Sequence, residues 1–347
     1  MSIVYKGTNG ADTYRQSNYQ NSSRDDIFTY GGNDKIILDL IGYYGGHNYV
    51  EAGSGNDTVI NYYEGGNDIF LGTGDDTYTG NGLSSRPARY DIVSGGFGED
   101  TFNIRTRYSE YYGDEDNDTF NSIGLSNSLY GGSGRDLVSY KLQDSEPGLK
   151  GLGVTVDLAA NYASTGGGRE EYLHNIENVE GTSYADDLLG DGAANTISGL
   201  GGRDILDGRI GNDSLSGGKG ADDLYGGGGN DELNGGHGND LLFGGAGADR
   251  FVFVSPADSV VGARRDVIKD FSSAQSDRID LSGIDANAST MGDDAFTFVG
   301  NAAFSGVAGE LRFASHILSG DIDGDSVADF QIRVTDVASL AVGDFIL

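Results

Sequence analysis

The chain has 347 residues, a formal net charge of −32, 59 glycines, three prolines and no cysteine. Without cysteine there is neither a disulfide scaffold nor a thiolate metal site. The acidic balance argues against nucleic acid and anionic membrane surfaces as partners and favours multivalent cations. No run approaches the roughly 18 apolar residues of a membrane-spanning helix, so no transmembrane segment is expected.

The first ten residues, MSIVYKGTNG, lack a charged n-region and an apolar h-region, so no secretory signal peptide is read there. Over residues 1–150 related short units recur at broken spacing: GTNGADTYR, TYGGNDKII, AGSGNDTVI, YEGGNDIFL, LGTGDDTYT, GGFGEDTFN, GDEDNDTFN and GGSGRDLVS. Their matching acids are Asp12, Asp34, Asp57, Asp68, Asp76, Asp100, Asp118 and Asp136, and Asp100 and Asp136 carry the most complete motifs. Inserts such as LDLIGYYGGHNYVE and NGLSSRPARY interrupt the series. The expectation is an irregular, degenerate β-solenoid with side loops, in which a minority of turns bind metal. Tyrosine is concentrated in this half, at Tyr43, Tyr44, Tyr62, Tyr63, Tyr111 and Tyr112 among others. It either replaces leucine in the stacked interior and along the faces or, on loops, stacks on sugars or mediates self-association. Residues 151–180 read as a lead-in to the regular repeats that begin at Gly181.

From Gly181 to Val252 the chain falls into eight consecutive nine-residue units: GTSYADDLL, GDGAANTIS, GLGGRDILD, GRIGNDSLS, GGKGADDLY, GGGGNDELN, GGHGNDLLF and GGAGADRFV. The sixth position is Asp186, Asn195, Asp204, Asp213, Asp222, Asp231, Asp240 and Asp249; the eighth is always large and apolar. A unit this short cannot bury its apolar residue alone, so units must stack. The short tail of each unit reads as a brief strand, and two units make one coil. Asp186, Asp204, Asp222 and Asp240 then line one edge, and Asn195, Asp213, Asp231 and Asp249 the other.

Glycine at positions one, two and four permits positive φ angles and a tight turn with free carbonyls, and those at positions one and four are candidate site residues. These are Gly199, Gly202, Gly208, Gly211, Gly217, Gly220, Gly226, Gly229, Gly235, Gly238, Gly244 and Gly247. Hard oxygens gathered on such turns, without His or Cys, suit Ca²⁺, which takes about 6–8 oxygen ligands. Carboxylates stacked about 5 Å apart repel by roughly 0.8 kcal/mol per pair in bulk water and by about 3 kcal/mol at an effective dielectric of 20. The apolar core offered in return is one thin line, so folding is expected to be coupled to metal binding.

The units resemble the repeats-in-toxin (RTX) nonapeptide GGxGxDxUx. The resemblance implies an all-β, parallel β-roll or β-solenoid in which turn carbonyls and position-six aspartates hold calcium. Tyr184 and Ala193 replace the fourth glycine and Asn195 an aspartate, so weak sites are expected in the first two units and good ones from Gly199 onward. Residues 253–347 alternate short strands with polar turns. Their order, ADRFVF, DVIKDF, DRIDLSGID, AFTFVG, GELRF, DIDGDSVADFQIRV and DFIL, resembles the C-terminal region of serralysin-like secreted proteins. That resemblance implies a β-rich cap ending in an uncleaved type I (ABC-transporter) export signal, here Asp344, Phe345, Ile346 and Leu347. Within this region DIDGDSVAD (Asp321, Asp323, Asp325, Asp329) reads as a tight polar turn, with a calcium loop as the alternative; Ser326 and Ile332 depart from the EF-hand pattern.

Catalytic motifs are not found. His47, His174, His237 and His316 are scattered without an HExxH, and there is no GxSxG, cysteine nucleophile or P-loop lysine motif. Paired carboxylates carry no information in so acidic a chain. The resulting expectation is a non-enzymatic, secreted, extracellular calcium-binding protein that folds on meeting Ca²⁺ outside the cell. Its partners would be calcium ions, the type I export machinery and an acidic or neutral polysaccharide at a matrix, biofilm or host surface. The alternative is a polysaccharide-modifying enzyme, alginate epimerase- or lyase-like, with an RTX-like module.

Overall fold

The structure is a computed structural model that describes residues 3–19, 24–40, 47–63, 65–82, 90–166, 168–287, 289–290, 292 and 294–347. It contains strands and short 3₁₀ turns and, among the described residues, no α-helix. The chain divides into two compact units, Met1–Glu180 and Gly181–Leu347.

In the first unit successive strands alternate between two parallel sheets. One sheet stacks Ile3–Lys6, Asp25–Phe28, Tyr49–Ser54, Asp68–Thr73, Ile92–Phe97, Glu110–Glu115, Ser128–Ser133 and Arg169–His174. The other stacks Thr13–Arg15, Lys35–Leu38, Thr58–Asn61, Thr77–Gly80, Thr101–Ile104, Thr119–Ser122, Leu137–Ser139 and Asn178–Glu180. Alternation along each strand sends one side chain per coil inward. The inward columns are Ile27, Val50, Ile69, Val93, Tyr111 and Leu129 in one sheet and Tyr14, Ile36, Val59, Tyr78, Phe102 and Phe120 in the other, all fully buried. They meet across the interior, with the Tyr111 ring centroid 5.7 Å from that of Tyr78 and 6.0 Å from that of Phe102.

This half is therefore more regular than its broken spacing suggests. Inserted residues lengthen the connections and leave the strand register intact, because register is fixed by which side chains must face inward. Tyr14, Tyr78, Tyr111 and Tyr140 are interior residues. Tyr112 stacks outside on Tyr130, which stacks on His174. Tyr62 and Tyr63 are exposed, and Tyr43 and Tyr44 lie outside the described residues. Residues 151–180, set apart in the sequence as a lead-in, belong by contact to this unit. Thr155–Asp157, Tyr162–Thr165 and Arg169–His174 form an antiparallel excursion, whose last strand rejoins the stack on Ser128–Tyr130.

The second unit repeats the scheme. Asp187–Leu189, Ile205–Asp207, Asp223–Gly228, Leu241–Ala246, Val267–Ile268 and Phe330–Val334 form one parallel stack. Thr196–Ser198, Ser214–Gly220, Glu232–Gly238, Arg250–Val252, Arg278–Asp280 and Phe345–Ile346 form the other. The eighth-position residues Leu188, Ile197, Leu206, Leu215, Leu224, Leu233, Leu242 and Phe251 are buried to within 1%. Four strands, Ser214–Gly220, Asp223–Gly228, Glu232–Gly238 and Leu241–Ala246, are longer than the short tails expected: Ser214–Gly220 pairs with Glu232–Gly238 through the glycines themselves, Gly218 opposite Gly236 and Gly220 opposite Gly238. Glycine lets the turn backbone of one coil lie close enough to pair with the next. The tail continues the stacks rather than merely covering them, and Glu310–Ala314, Ile317–Asp321 and Phe330–Val334 add an antiparallel sheet at that end.

Candidate metal centre

The residue two before each inward apolar side chain also faces inward, at the corner where the chain enters a strand. In the first unit one edge carries Asp12, Asp34, Asp57, Asp76, Asp100, Asp118 and Asp136 in this position. Each Oδ1 from Asp34 to Asp136 accepts the backbone N–H of the aspartate one coil earlier at 2.6–2.8 Å. Sequence steps of 22, 23, 19, 24, 18 and 18 residues separate them. The other oxygen, Oδ2, of Asp34, Asp57, Asp76, Asp100, Asp118 and Asp136 is buried without a hydrogen-bond partner. The opposite edge is different. Asp25, Asn48, Asn67, Asp91, Ser109 and Asn127 occupy it, with N–H groups donated to the Asn48, Asn67, Asp91, Ser109 and Asn127 side chains in turn. That edge is largely an amide and hydroxyl ladder.

Asp68 does not join the acidic ladder. It pairs opposite Tyr49 and is exposed on the outer face, because it directly precedes the inward Ile69 and Asn67 takes the corner position instead. The GGND motif is the same in both cases; only the phase relative to the apolar residue separates them.

In the second unit both edges are acidic. Asp186, Asp204, Asp222 and Asp240 form one ladder, with N–H to Oδ1 distances of 2.9 Å at each step. Asn195, Asp213, Asp231 and Asp249 form the other, at 2.7–3.0 Å. The Oδ2 atoms of Asp204, Asp213, Asp222, Asp231, Asp240 and Asp249 are buried and unpartnered. Each ladder gains a rung that the repeat did not disclose. Asp266 Oδ1 accepts the Asp240 N–H across 26 residues at 2.8 Å, and Asp277 Oδ1 accepts the Asp249 N–H across 28 residues at 3.1 Å. The signal was present, since Asp266-Val-Ile268 and Asp277-Arg-Ile279 keep the aspartate two before an inward apolar residue.

The glycines define where the free oxygens point. A Cβ on Gly199, Gly208, Gly217, Gly226, Gly235 or Gly244 would lie 2.3–2.6 Å from Oδ2 of Asp204, Asp213, Asp222, Asp231, Asp240 or Asp249. A Cβ on Gly220, Gly229, Gly238 or Gly247 would lie 1.5–1.8 Å from the carbonyl oxygen of Gly202, Gly211, Gly220 or Gly229 in the adjacent coil. Gly202 and Gly211 similarly abut Tyr184 and Ala193 backbone. Carboxylate and carbonyl oxygens thus converge on the turns, all hard donors with no nitrogen or sulfur among them, which is the chemistry of a calcium site.

The first turns are closed differently. Thr182 donates its N–H to Asp186 Oδ2 at 2.6 Å and its hydroxyl to Oδ1 at 2.9 Å. Thr8 engages Asp12 in a similar way, donating its N–H to Oδ2 at 2.6 Å and its hydroxyl to the same oxygen at 3.1 Å. Asn195 Oδ1 accepts the Asp191 N–H at 2.9 Å. In these turns a side chain or backbone donor already engages the group that stands free further along.

Burial pushes the ladder carboxyls upward: Asp76, Asp118, Asp204 and Asp266 to about 8, Asp100 and Asp240 to about 7, and Asp57, Asp136, Asp222, Asp231 and Asp249 to about 6. The ladder N–H bonds oppose the shift, and for Asp118 and Asp204 the carboxylates one coil away on both sides reinforce it. A carboxyl raised in this way favours its protonated form over a bare negative charge, and a cation bound beside it would offset the same burial cost. The acidic loop of the tail is the turn of an antiparallel hairpin. One oxygen each of Asp321, Asp323 and Asp325 lies within 4.8 Å of the others, but both oxygens of Asp321 already accept N–H groups, from Gly324 and Ser326. The terminal residues form a strand: Phe345 pairs opposite Ile279, Asp344 Oδ2 accepts the Ala341 N–H at 2.7 Å, and Ile346 pairs opposite Asp280 just before Leu347.

Fold and site together define a parallel β-roll with carboxylate ladders along its edges. The chain belongs to the Peptidase M10 serralysin C-terminal family, whose model matches residues 7–347. Among solved structures it is similar to the AlgE6R3 subunit from the Azotobacter vinelandii mannuronan C5-epimerase, in solution, at 28% identity. That match covers 47% of this chain and 78% of the other, with a TM-score of 0.29. No curated protein matches in sequence.

Proposed function

We propose that this is a secreted calcium-binding protein whose roll forms when Ca²⁺ enters the ladders outside the producing cell. The observation that carries the reading is the row of buried, unpartnered Oδ2 atoms, from Asp34 to Asp136 in the first unit and from Asp204 to Asp249 in the second. A buried carboxylate oxygen without a donor costs several kcal/mol unless it is protonated or meets a cation. The aspartates would hold the ion through Oδ2 while Oδ1 fixes the stack, and the glycine carbonyls would complete the oxygen shell. A bound cation supplies the positive charge that offsets repulsion between successive rungs. Asp186 and Asn195, already engaged, are assigned weak roles.

Export through a type I transporter by way of Asp344–Leu347 belongs to the same reading. Phe345 is buried against Phe298 in the folded roll, with ring centroids 4.9 Å apart, while Ile346 is exposed, so Phe345 itself would be offered to a receptor only by an unfolded chain. Action at an extracellular matrix, biofilm or host surface would follow folding. The reading is of a binding protein: Glu171, the one fully buried glutamate among the described residues, is held by Ser122, Asn127 and Tyr140 as an internal strut.

The test is far-UV circular dichroism of the full chain, titrated from chelator into millimolar calcium. A disordered spectrum that turns cooperatively to β supports calcium-gated folding. A spectrum that is β throughout and indifferent to calcium would overturn it.

A further inference from the structure

The chain has 54 acidic and 22 basic residues, and several described cations, Arg264 and Arg312 among them, form no ion pair with the surrounding acids. The described arginines that form ion pairs do so with nearby carboxylates, as Arg15 with Asp39, Arg105 with Glu146, and Arg250 with Glu232 and Asp280. Arg265 and Arg333 do not. Among the described residues neither side chain has a hydrogen bond or an ion pair, and the Arg265 Nε is buried with no partner. Both line one pocket of about 380 Å³, together with Asn239, Gly262, Ala263 and Val267.

The topology explains the pairing. Val267 stands opposite Arg333 where the tail strand Phe330–Val334 joins the parallel stack, so residues 66 positions apart share one outer face. Asp266, the acid next to Arg265, is no counter-ion: it is fully buried and turned into the roll, where its Oδ1 accepts the Asp240 N–H. Arg312 lies on the same sheet but packs over the Phe304 ring.

We propose that this pocket binds an organic carboxylate, of the class of a sugar acid. A guanidinium presents a planar fork of donors that matches a carboxylate, and two arginines without an ion pair, half-buried Arg265 and exposed Arg333, line this one pocket. The volume decides against a bare inorganic ion. It corresponds to about a dozen waters at roughly 30 Å³ each, and falls in the small-ligand range of about 300–1,000 Å³. Gly262, Ala263 and Val267 offer apolar wall to the body of such a ligand. The overall charge of −32 does not forbid it, because screening confines distant repulsion to about 8 Å at physiological ionic strength.

The experiment is titration of the full chain, saturated with calcium and checked for β structure, with glucuronate, glucose, acetate and sulfate, followed by arginine side-chain NMR and calorimetry. Glucuronate is expected to bind at least tenfold more tightly than glucose, acetate or sulfate. Arg265→Gln and Arg333→Gln are each expected to weaken it by tenfold or more, and Arg312→Gln to leave it unchanged. Ala263→Phe, which fills the pocket at an exposed position and keeps the charges, should abolish binding with the spectrum intact. Glucuronate binding no better than glucose, or indifferent to the arginine variants, overturns the site. Equal binding of sulfate overturns the assignment of an organic carboxylate, and equal binding of acetate overturns that of a sugar acid. Loss of β structure without calcium bears on the folding proposal alone, since every binding arm is read in the folded, calcium-saturated state.

Discussion

At the scale of single residues, the proposed calcium binding rests on which atom of an aspartate is spoken for. Asp231 Oδ1 accepts the Asp213 N–H at 2.8 Å while its Oδ2 has no donor; Asp186 has donors on both oxygens from Thr182. Asp231→Asn would keep the first role and lose the second. A charge-assisted contact is worth about 1.5–3 kcal/mol, so the calcium concentration at the folding midpoint should rise by about tenfold or more. Asp68→Asn removes an exposed acid outside the ladder and should leave that midpoint unchanged. Calorimetric calcium titration of the two variants checks both; an equal effect would mean that bulk charge, not ladder position, governs binding.

At the scale of the ladder, the rungs act together. Burial raises the Asp76, Asp118 and Asp204 carboxyls to about 8, above the ordinary value of about 3.9 in an unfolded chain. Between those limits the folded, metal-free roll holds more protons than the unfolded chain. Its stability therefore falls as pH rises from about 4 to about 8. In chelator, acidification from about pH 8 toward about pH 5 is expected to restore part of the β signal. With calcium the sign reverses, because the ion must displace those protons: the calcium midpoint should move to higher concentration as pH falls, with proton release on binding. Potentiometry during calcium addition measures that release directly, and a midpoint flat across about pH 6–8 would refute the picture.

At the scale of the whole molecule, the two units use one plan with different edges. Gly181–Leu347 has two acidic ladders, each extended by a rung from the tail, Asp266 and Asp277. Met1–Glu180 has one, running to Asp136, whose own N–H is received by Glu177 Oε2 at 2.8 Å. Each unit opens on the same closed turn, Gly-Thr-x-x-Ala-Asp, at Gly7–Asp12 and Gly181–Asp186. A start that satisfies its own carboxylate needs no coil beneath it. Residues 181–347 alone should therefore gain β structure in calcium at about the concentration the full chain requires, as read by circular dichroism. A fragment that stays disordered would show that the second unit needs the first as a template.

Much of this architecture is legible in the residues themselves. The nine-residue period dictates the coil, the stacking interval of eighteen, the inward leucines and the two edges of residues 181–252, because strand alternation leaves one phase in which every apolar residue is buried. The first half resists the same reading. Its ladder continues through steps of 22, 23, 19 and 24 residues, and a period search sees only broken spacing. Insertions at the corners cost little, since loop length is weakly penalised, so the strands keep register while the sequence loses it. The rungs at Asp266 and Asp277 are hidden for the same reason. Composition and period are thus enough to specify a stacked, acidic, glycine-turned roll. They do not specify that Asp68 faces out while Asn67 faces in, or that Arg265 and Arg333 share one pocket. Those arrangements arise on folding, from strand phase and from pairing across 66 residues, which no local pattern records.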